Sequence, residues 1–205
     1  MAEETFVKPV RSLAWSDVGS DELALVQRCA AGDEDACTEL VGAHQRMVYQ
    51  LSLHLLGDHN EALDLSQEVF LRVFRTIRGF RGQSALRTWI YRIVINQASN
   101  RQRWWRRRRR SQQVSFEQHV ESYGDLPDTR RLDLPDVVLG QKELAGRIQR
   151  ALDGLPFDQR TALVLREIDG LSYEEIAFSL NVAVGTVKSR LARAREQMRG
   201  ELRHA

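Results

Sequence analysis

Four prolines in 205 residues set the widest limit on what this chain can become. They stand at Pro9, Pro127, Pro135 and Pro156. A proline inside a helix removes a hydrogen bond and clashes with the preceding turn, so 10–126 and 157–205 are open to long helices. No segment alternates apolar and polar residues as a strand does, and no repeat of solenoid length recurs. The expected fold class is therefore all-α, as two small helical domains joined by a flexible acidic linker. Pro127 and Pro135 share the stretch "ESYGDLPDTRRLDLPDVV", which has turn dipeptides and no sustained periodicity. Six acids against Arg130 and Arg131 give 111–139 a net charge of −4. The expected division is a disordered tail at 1–20, a module at 21–110, an acidic linker at 111–137 and a second module at 138–205.

Composition narrows the class. The chain is 42% hydrophobic and 28% charged, as in ordinary soluble proteins. No apolar run approaches the roughly 18 residues of a membrane span. The start, "MAEETFVKPV", has no hydrophobic signal region, so a cytoplasmic location is expected. Cys29 and Cys37 lack zinc-ligand spacing and have no histidine at ligand distance in sequence. They read as small apolar residues on helices in a reducing compartment. No metal and no cofactor is expected.

Charge is concentrated in one place. "RQRWWRRRRR", residues 101–110, holds seven arginines. The whole chain carries 30 Lys+Arg against 28 Asp+Glu, but without this decapeptide 23 basic residues face 28 acidic ones. A local basic patch implies a local polyanion: nucleic acid, an anionic membrane surface or a nuclear-import receptor.

In the first module, "DELALVQRCAAGDEDACTELVGAHQRMVYQLSLHLLG" reads as two helices broken near Gly32-Asp33. Gly57-Asp58 separates them from a third, on which Ala62, Val69, Phe70, Val73 and Ile77 recur at core spacing. Leu71 points away from that stripe, among Asp64, Gln67, Glu68 and Arg75. Such a leucine is usually an ordinary exposed residue; the sharper reading is an apolar anchor in a protein-docking face.

The fourth helix, from about Ser84, carries two stripes. Leu86, Ile90, Ile93, Gln97 and Trp104 form an apolar one, on which Trp104 is expected to be buried; neither stripe takes Trp105. Trp89, Arg92, Asn96, Asn100, Arg103 and Arg107 form the other, at steps of three or four. Solvated faces usually mix acids with bases, yet 84–110 contains no Asp or Glu. Arginines that grip phosphate, amides that read base edges and an aromatic that stacks on an unpaired base suit DNA. Just upstream, Gly79 and Gly82 bracket Phe80 and Arg81. These glycines either end the third helix or build a loop over an extruded base, with Phe80 as a wall and Ser84 as helix cap and hydrogen-bond partner.

The second module carries the most specific stretch. Pro156 suits a first helical position, and Ser172–Glu175 has the form of a capping box opening a helix through Leu180. After a turn at Asn181–Val184, Val187, Leu191, Ala194 and Met198 share an inner face. Lys188, Ser189, Ala192, Arg193 and Glu196 lie outward, with Arg190 and Arg195 on the flanks. Between Gly185 and Arg195 there are four basic residues and no acid. This is a helix-turn-helix with its second helix suited to a major groove.

Taken together, these motifs resemble the extracytoplasmic-function (ECF) sigma factors of bacterial RNA polymerase, over about 21–110 and 138–203. "DLSQEVFLRVF" is similar to the family's polymerase-clamp-binding helix. "FRGQSALRTWIYRIVINQASN" is similar to its melting loop and −10 reading helix, and "LSYEEIAFSLNVAVGTVKSRLARAR" to its −35 reading region. The resemblance implies that Asp64, Gln67, Glu68 and Leu71 dock on core polymerase. It implies that Phe80 and Asn96 hold a flipped −10 base, with Arg81, Ser84, Trp89, Arg92, Asn100 and Arg103 on the same DNA-facing surface. Thr186, Lys188, Ser189, Arg190 and Arg193 would meet the −35 duplex. The implied partners are the clamp and flap of core RNA polymerase, promoter DNA and an inhibitory anti-sigma factor, and the implied role is initiation at stress or envelope-response promoters. Ala192 stands where some relatives carry a bulkier groove-facing residue, and the arginine run is longer than the family pattern needs. A −10/−35 separation of roughly 16 base pairs is about 55 Å, within reach of a 29-residue tether that extends to roughly 100 Å.

Rival readings explain less. A stand-alone helix-turn-helix regulator should dimerise on paired half-sites and gives no reason for the Leu71 face or the Phe80 loop. A DNA-cutting enzyme needs an activated nucleophile, and no such constellation is visible, so no enzymatic activity is expected. Membrane anchoring requires an apolar face beside the arginines, and nuclear import leaves the other motifs unexplained.

Overall fold

The computed structural model describes residues 20–111 and 135–203. Among them the only regular elements are helices: α1 (Ser20–Ala31), α2 (Glu34–Leu56), α3 (His59–Thr76), a 3₁₀ turn (Ile77–Gly79), α4 (Leu86–Ser111), α5 (Pro135–Asp153), α6 (Phe157–Glu167), α7 (Tyr173–Leu180) and α8 (Val184–Arg203). The expected tail and acidic linker lie outside the described residues, apart from Ser20, Ser111 and 135–137, which are helical.

Short polar signals set the breaks. Gly32 turns the chain with φ of 92°, and Asp33 caps α2 by accepting the Ala36 N–H at 3.0 Å. Gly57 ends α2 in the left-handed region, and the adjacent Asp58 caps α3 through the Glu61 N–H at 2.9 Å. Gly57 is favoured by its backbone angle, and a side chain there would also have to push the Asp153 carboxylate aside. Its φ is 73°, and a Cβ there would meet the Asp153 carboxylate at 2.9 Å.

α1 to α4 enclose one core. Ala62, Val69, Val73 and Ile77 are buried as their spacing predicts, Phe70 is half-buried, and Leu65 joins them. From α2 come Leu40, Val48, Leu51 and Leu55, and from α4 Leu86, Ile90, Tyr91, Val94 and Ala98. Each large aliphatic side chain buried here contributes about 1.5–3 kcal/mol. α4 is not capped by Ser84, whose side chain is buried; its Leu86 N–H donates to Glu22 Oε1 of α1 at 3.2 Å.

α5 to α8 form the second body. The Ser172–Glu175 capping box is closed in both directions, at 3.1 and 2.8 Å. Asn181 ends α7 with φ of 53°, and α8 starts at Val184, so the turn is one residue shorter than its sequence suggests. Pro156 sits one residue before α6 as its N-cap instead of at its first position. Val187, Leu191 and Ala194 are buried and Met198 half-buried.

The two bodies touch along two seams. In the first, the buried Arg160 guanidinium donates to the Leu55 carbonyl of α2 and to the Asp153 carbonyl, both at 2.8 Å, and pairs with Asp153 Oδ1 at 3.2 Å. Burial holds its pKa below the usual arginine value, partly offset by Asp153. In the second, α7 lies against α4, with the Arg92 guanidinium 5.9 Å from the centre of the Phe178 ring.

Candidate nucleic-acid and polymerase interfaces

Leu71 is the most exposed large apolar residue among those described, at 54%. Asp64, Gln67 and Glu68 are exposed on the same helix. Glu68 is held from behind: Arg101 of α4, largely buried, donates to Glu68 Oε1 at 2.7 Å and to Glu61 Oε2 at 2.6 Å. Arg101 therefore belongs to the support of this face and not to a free phosphate-binding run. Gln97, expected on the buried stripe, donates to the Glu68 carbonyl at 3.2 Å and fixes α3 against α4.

The groove beside this face runs between α3 and α4 and is lined by Leu71, Arg75, Trp89, Arg92, Asn96 and Asn100, among others. Thus Trp89, Arg92, Asn96 and Asn100 of the expected polar stripe line one surface, while Arg103 and Arg107 lie beyond this lining. At its head the Phe80 ring meets Trp89 edge-on, with centroids 5.4 Å apart. Phe80, Arg81, Ser84, Trp89 and Arg92 surround a smaller hollow, closed on its far side by Phe178 of α7. Ser84 is buried at its base while Arg81 is exposed. Further along, Asn96 and Asn100 are exposed, and Arg103 donates to Asn100 Oδ1 at 2.6 Å.

Trp104 departs from expectation. It is 53% exposed instead of continuing the core, with Arg108 stacked over its ring at 5.1 Å. The reason is what α3 presents to it. Arg101 already faces Glu61, near the start of α3, and α4 continues for ten residues beyond it. Trp104 is three residues, about 4.5 Å, further along, where the neighbouring start of α3 offers the polar Glu61 and Asp64 instead of an apolar cover. Trp105, which no stripe claimed, lines the cleft between the modules with Leu55, Leu56 and Leu155.

On α8, Lys188, Ser189 and Arg193 are exposed and Thr186 is half-buried. Ser189 Oγ donates to the Thr186 carbonyl at 2.9 Å. Arg190 pairs with Asp158 at 2.7 Å and Arg195 with Glu167 at 2.6 Å, so the flanking arginines orient α8 on α6 and leave Lys188 and Arg193 outermost. The histidines that find partners do so structurally: Tyr49 Oη lies 2.7 Å from His59 Nδ1, and His54 Nδ1 lies 3.2 Å from Gln149 Oε1.

One cluster was not foreseen. Tyr91, fully buried on α4, accepts from Arg87 Nη2 at 2.8 Å, and the same guanidinium nitrogen reaches the Asp169 carbonyl of the α6–α7 turn at 3.5 Å. Burial pushes Asp169 above its ordinary value of 3.8, against the opposing influences of Tyr91, Arg87 and His54. A raised pKa in the packed form means that this form takes up a proton more readily than a solvated carboxylate does. The seam is therefore weaker above the raised pKa and strengthens as pH falls through it, in the window just above 3.8. Energy transfer between dyes on α2 and α8 is expected to rise on acidification, and Asp169→Asn to flatten that response. Transfer that is equally pH-dependent in the variant counts against Asp169.

Residues 40–111 match the family described as Sigma-70 region 2, and residues 145–198 that described as Sigma-70, region 4. The RNA polymerase sigma-H factor of Pseudomonas aeruginosa is 39% identical over 84% of this chain and 89% of its own. The ECF RNA polymerase sigma-E factor of Escherichia coli K12 is 38% identical over 84% and 89%. The chain belongs to the ECF sigma factors. Among solved structures, the sigma factor RpoE of Bartonella quintana, crystallised with the anti-sigma factor NepR, is 26% identical with a TM-score of 0.64, covering 81% of this chain and 96% of that one. The helix-turn-helix of this sigma factor is accordingly its region 4, and the α3–α4 groove lies in its region 2. No helix among its described residues is long and apolar enough to cross a membrane.

Proposed function

We propose that this sigma factor carries core RNA polymerase to promoters, reads the −35 element with α8 and the −10 element with α4, and opens the DNA at the Phe80 loop. The observation that carries the reading is the pair of basic stretches without an acid, 84–110 and 185–195, one on each module, beside an exposed leucine in an acidic face. Asp64, Gln67, Glu68 and Leu71 dock on the clamp, while Phe80 and Asn96 hold a flipped base. Lys188, Ser189, Arg190 and Arg193 engage the −35 duplex, with Thr186 at the start of the reading helix. The module boundaries are 21–110 and 138–205, and the protein works in the cytoplasm with its polymerase. It catalyses no reaction itself, since nucleotidyl transfer belongs to the core enzyme.

Opening needs no nucleotide hydrolysis. Unstacking a base costs a few kcal/mol and stacking it on an aromatic side chain returns about 1–3 kcal/mol; the polymerase's hold on both strands supplies the rest. Transcription in vitro with core polymerase on a promoter library, with and without this protein, tests the reading: RNA from a defined subset of templates is expected. Synthesis that is unchanged by the protein would overturn it in favour of a stand-alone regulator. Arg193→Ala is expected to weaken −35 binding and shift preference at one position by about 1–3 kcal/mol. An unchanged sequence logo counts against that contact.

The inhibitory partner is an anti-sigma factor. The grooves along α3, α4 and α8 that face polymerase and DNA are the surfaces such a polypeptide must cover.

A further inference from the structure

Cys29 and Cys37 lie eight residues apart in sequence, on α1 and α2, and the turn at Gly32-Asp33 brings their sulfurs within 2.8 Å of each other. The turn is itself clamped, since Arg28 Nε donates to Asp33 Oδ2 at 2.7 Å. Both thiols are free. Cys29 is buried and Cys37 half-buried, so one sulfur faces the core and its neighbour is open to a small oxidant.

Apart from this pair, α1 is held by Val26 in the core, with Leu25 and Ala30 packed beside it, and by the Arg28–Asp33 clamp. The helix is 12 residues long, short enough to be marginal without tertiary contacts. Yet it supports the segment that carries Phe80. Glu22 caps α4, the Ala30 carbonyl accepts Arg78 Nε at 3.2 Å, and Leu23 lies 3.4 Å from where a Cβ on Gly82 would sit. Whatever fixes α1 to α2 therefore also fixes the shelf beneath residues 78–86.

We propose that Cys29 and Cys37 are a peroxide-oxidisable pair that closes to an intramolecular disulfide, stapling α1 to α2 and stiffening the brace under the Phe80 loop. In the first step the Cys37 thiolate attacks hydrogen peroxide. An S–O bond forms, the O–O bond breaks, and the departing hydroxide takes up the thiol's proton as water. In the second, Cys29 sulfur attacks the Cys37 sulfenic acid; the S–S bond forms, the S–O bond breaks, and hydroxide leaves with the Cys29 proton. Two thiols lose two electrons and two protons, and one peroxide becomes two waters. Burial, aided by the bond to Cys37, pushes the Cys29 thiol up to about 12, so Cys37 is the first to be oxidised. Contact between the sulfurs then makes the second step effectively unimolecular, since their separation has only to fall from 2.8 Å to an S–S bond of about 2.0 Å.

The test uses the reduced full-length chain and hydrogen peroxide. A mass loss of two hydrogens is expected, with one cross-linked peptide pair containing Cys29 and Cys37, reversible by dithiothreitol. Amide exchange across 78–86 should slow several-fold and the non-reducing melting midpoint should rise by several degrees; Cys29→Ser and Cys37→Ser should show neither change. Added oxygens without a cross-link, or a disulfide between chains, would overturn the pairing. A Cys29–Cys37 bond that leaves exchange at 78–86 unchanged would overturn the brace. Neither readout needs polymerase or DNA, so failure here leaves promoter reading untouched.

Discussion

Leu71→Asp is expected to abolish association with core RNA polymerase while the helical fold persists. At 54% exposure, Leu71 contributes little to the core that Leu65, Val69 and Val73 build from the other side of α3, and surface substitutions of this kind usually stay within about 0.5 kcal/mol of neutral. In a docked complex the balance differs. Losing an apolar anchor at the centre of an interface costs at least about 2 kcal/mol, and the new carboxylate must be desolvated without a partner. Glu68 remains oriented by Arg101, so the loss is specific to the anchor. Co-purification with core enzyme and a thermal melt by circular dichroism decide it. Retention on the polymerase at the normal level would refute the docking role.

Phe80→Ala and Asn96→Ala are expected to keep duplex binding and lose the open complex. Phe80 is seated edge-on against Trp89, so its ring is already positioned at the head of the groove and little ordering is needed when a base arrives. Removing a stacking wall worth about 1–3 kcal/mol lowers the open fraction roughly 5- to 150-fold. Asn96 is exposed on the same groove, and Asn96→Ala removes the hydrogen bonds that a flipped base would gain. Lys188 and Arg193 are untouched by either change, so −35 binding should hold. Permanganate reactivity at the −10 element is the measurement, and undiminished melting in both variants rules out the pocket.

Much of the architecture was legible in the sequence because it was written in local chemistry. Asp33, Asp58 and the Ser172–Glu175 box act within a single turn, and the spacing of Ala62, Val69, Val73 and Ile77 is a one-helix property. The family followed from several such motifs in order. What was not legible depends on what a neighbouring or distant helix offers at the point of contact. Trp104 continued the apolar spacing of Leu86 and Ile90, but spacing alone does not say that α3 offers Glu61 and Asp64 there instead of an apolar cover. Arg160, within "DQRTALVL", looks like any solvated arginine, yet it serves the Leu55 carbonyl 105 positions earlier. Arg87, Tyr91 and Asp169 were missed for the same reason, and Ser84 gave up its capping role to Glu22, 64 positions upstream of the bond it makes.

The seat of Arg92 on Phe178 has a bearing on affinity. With α7 against α4, the two surfaces proposed to face DNA are neighbours, whereas promoter elements roughly 16 base pairs apart demand that they stand about 55 Å from one another. Parting the modules is then an equilibrium of its own that precedes landing on the duplex. A measured dissociation constant reports the product of the two, larger than the intrinsic value by the reciprocal of the parted fraction. Weakening that seat is therefore expected to tighten promoter binding without adding a contact to any base or phosphate.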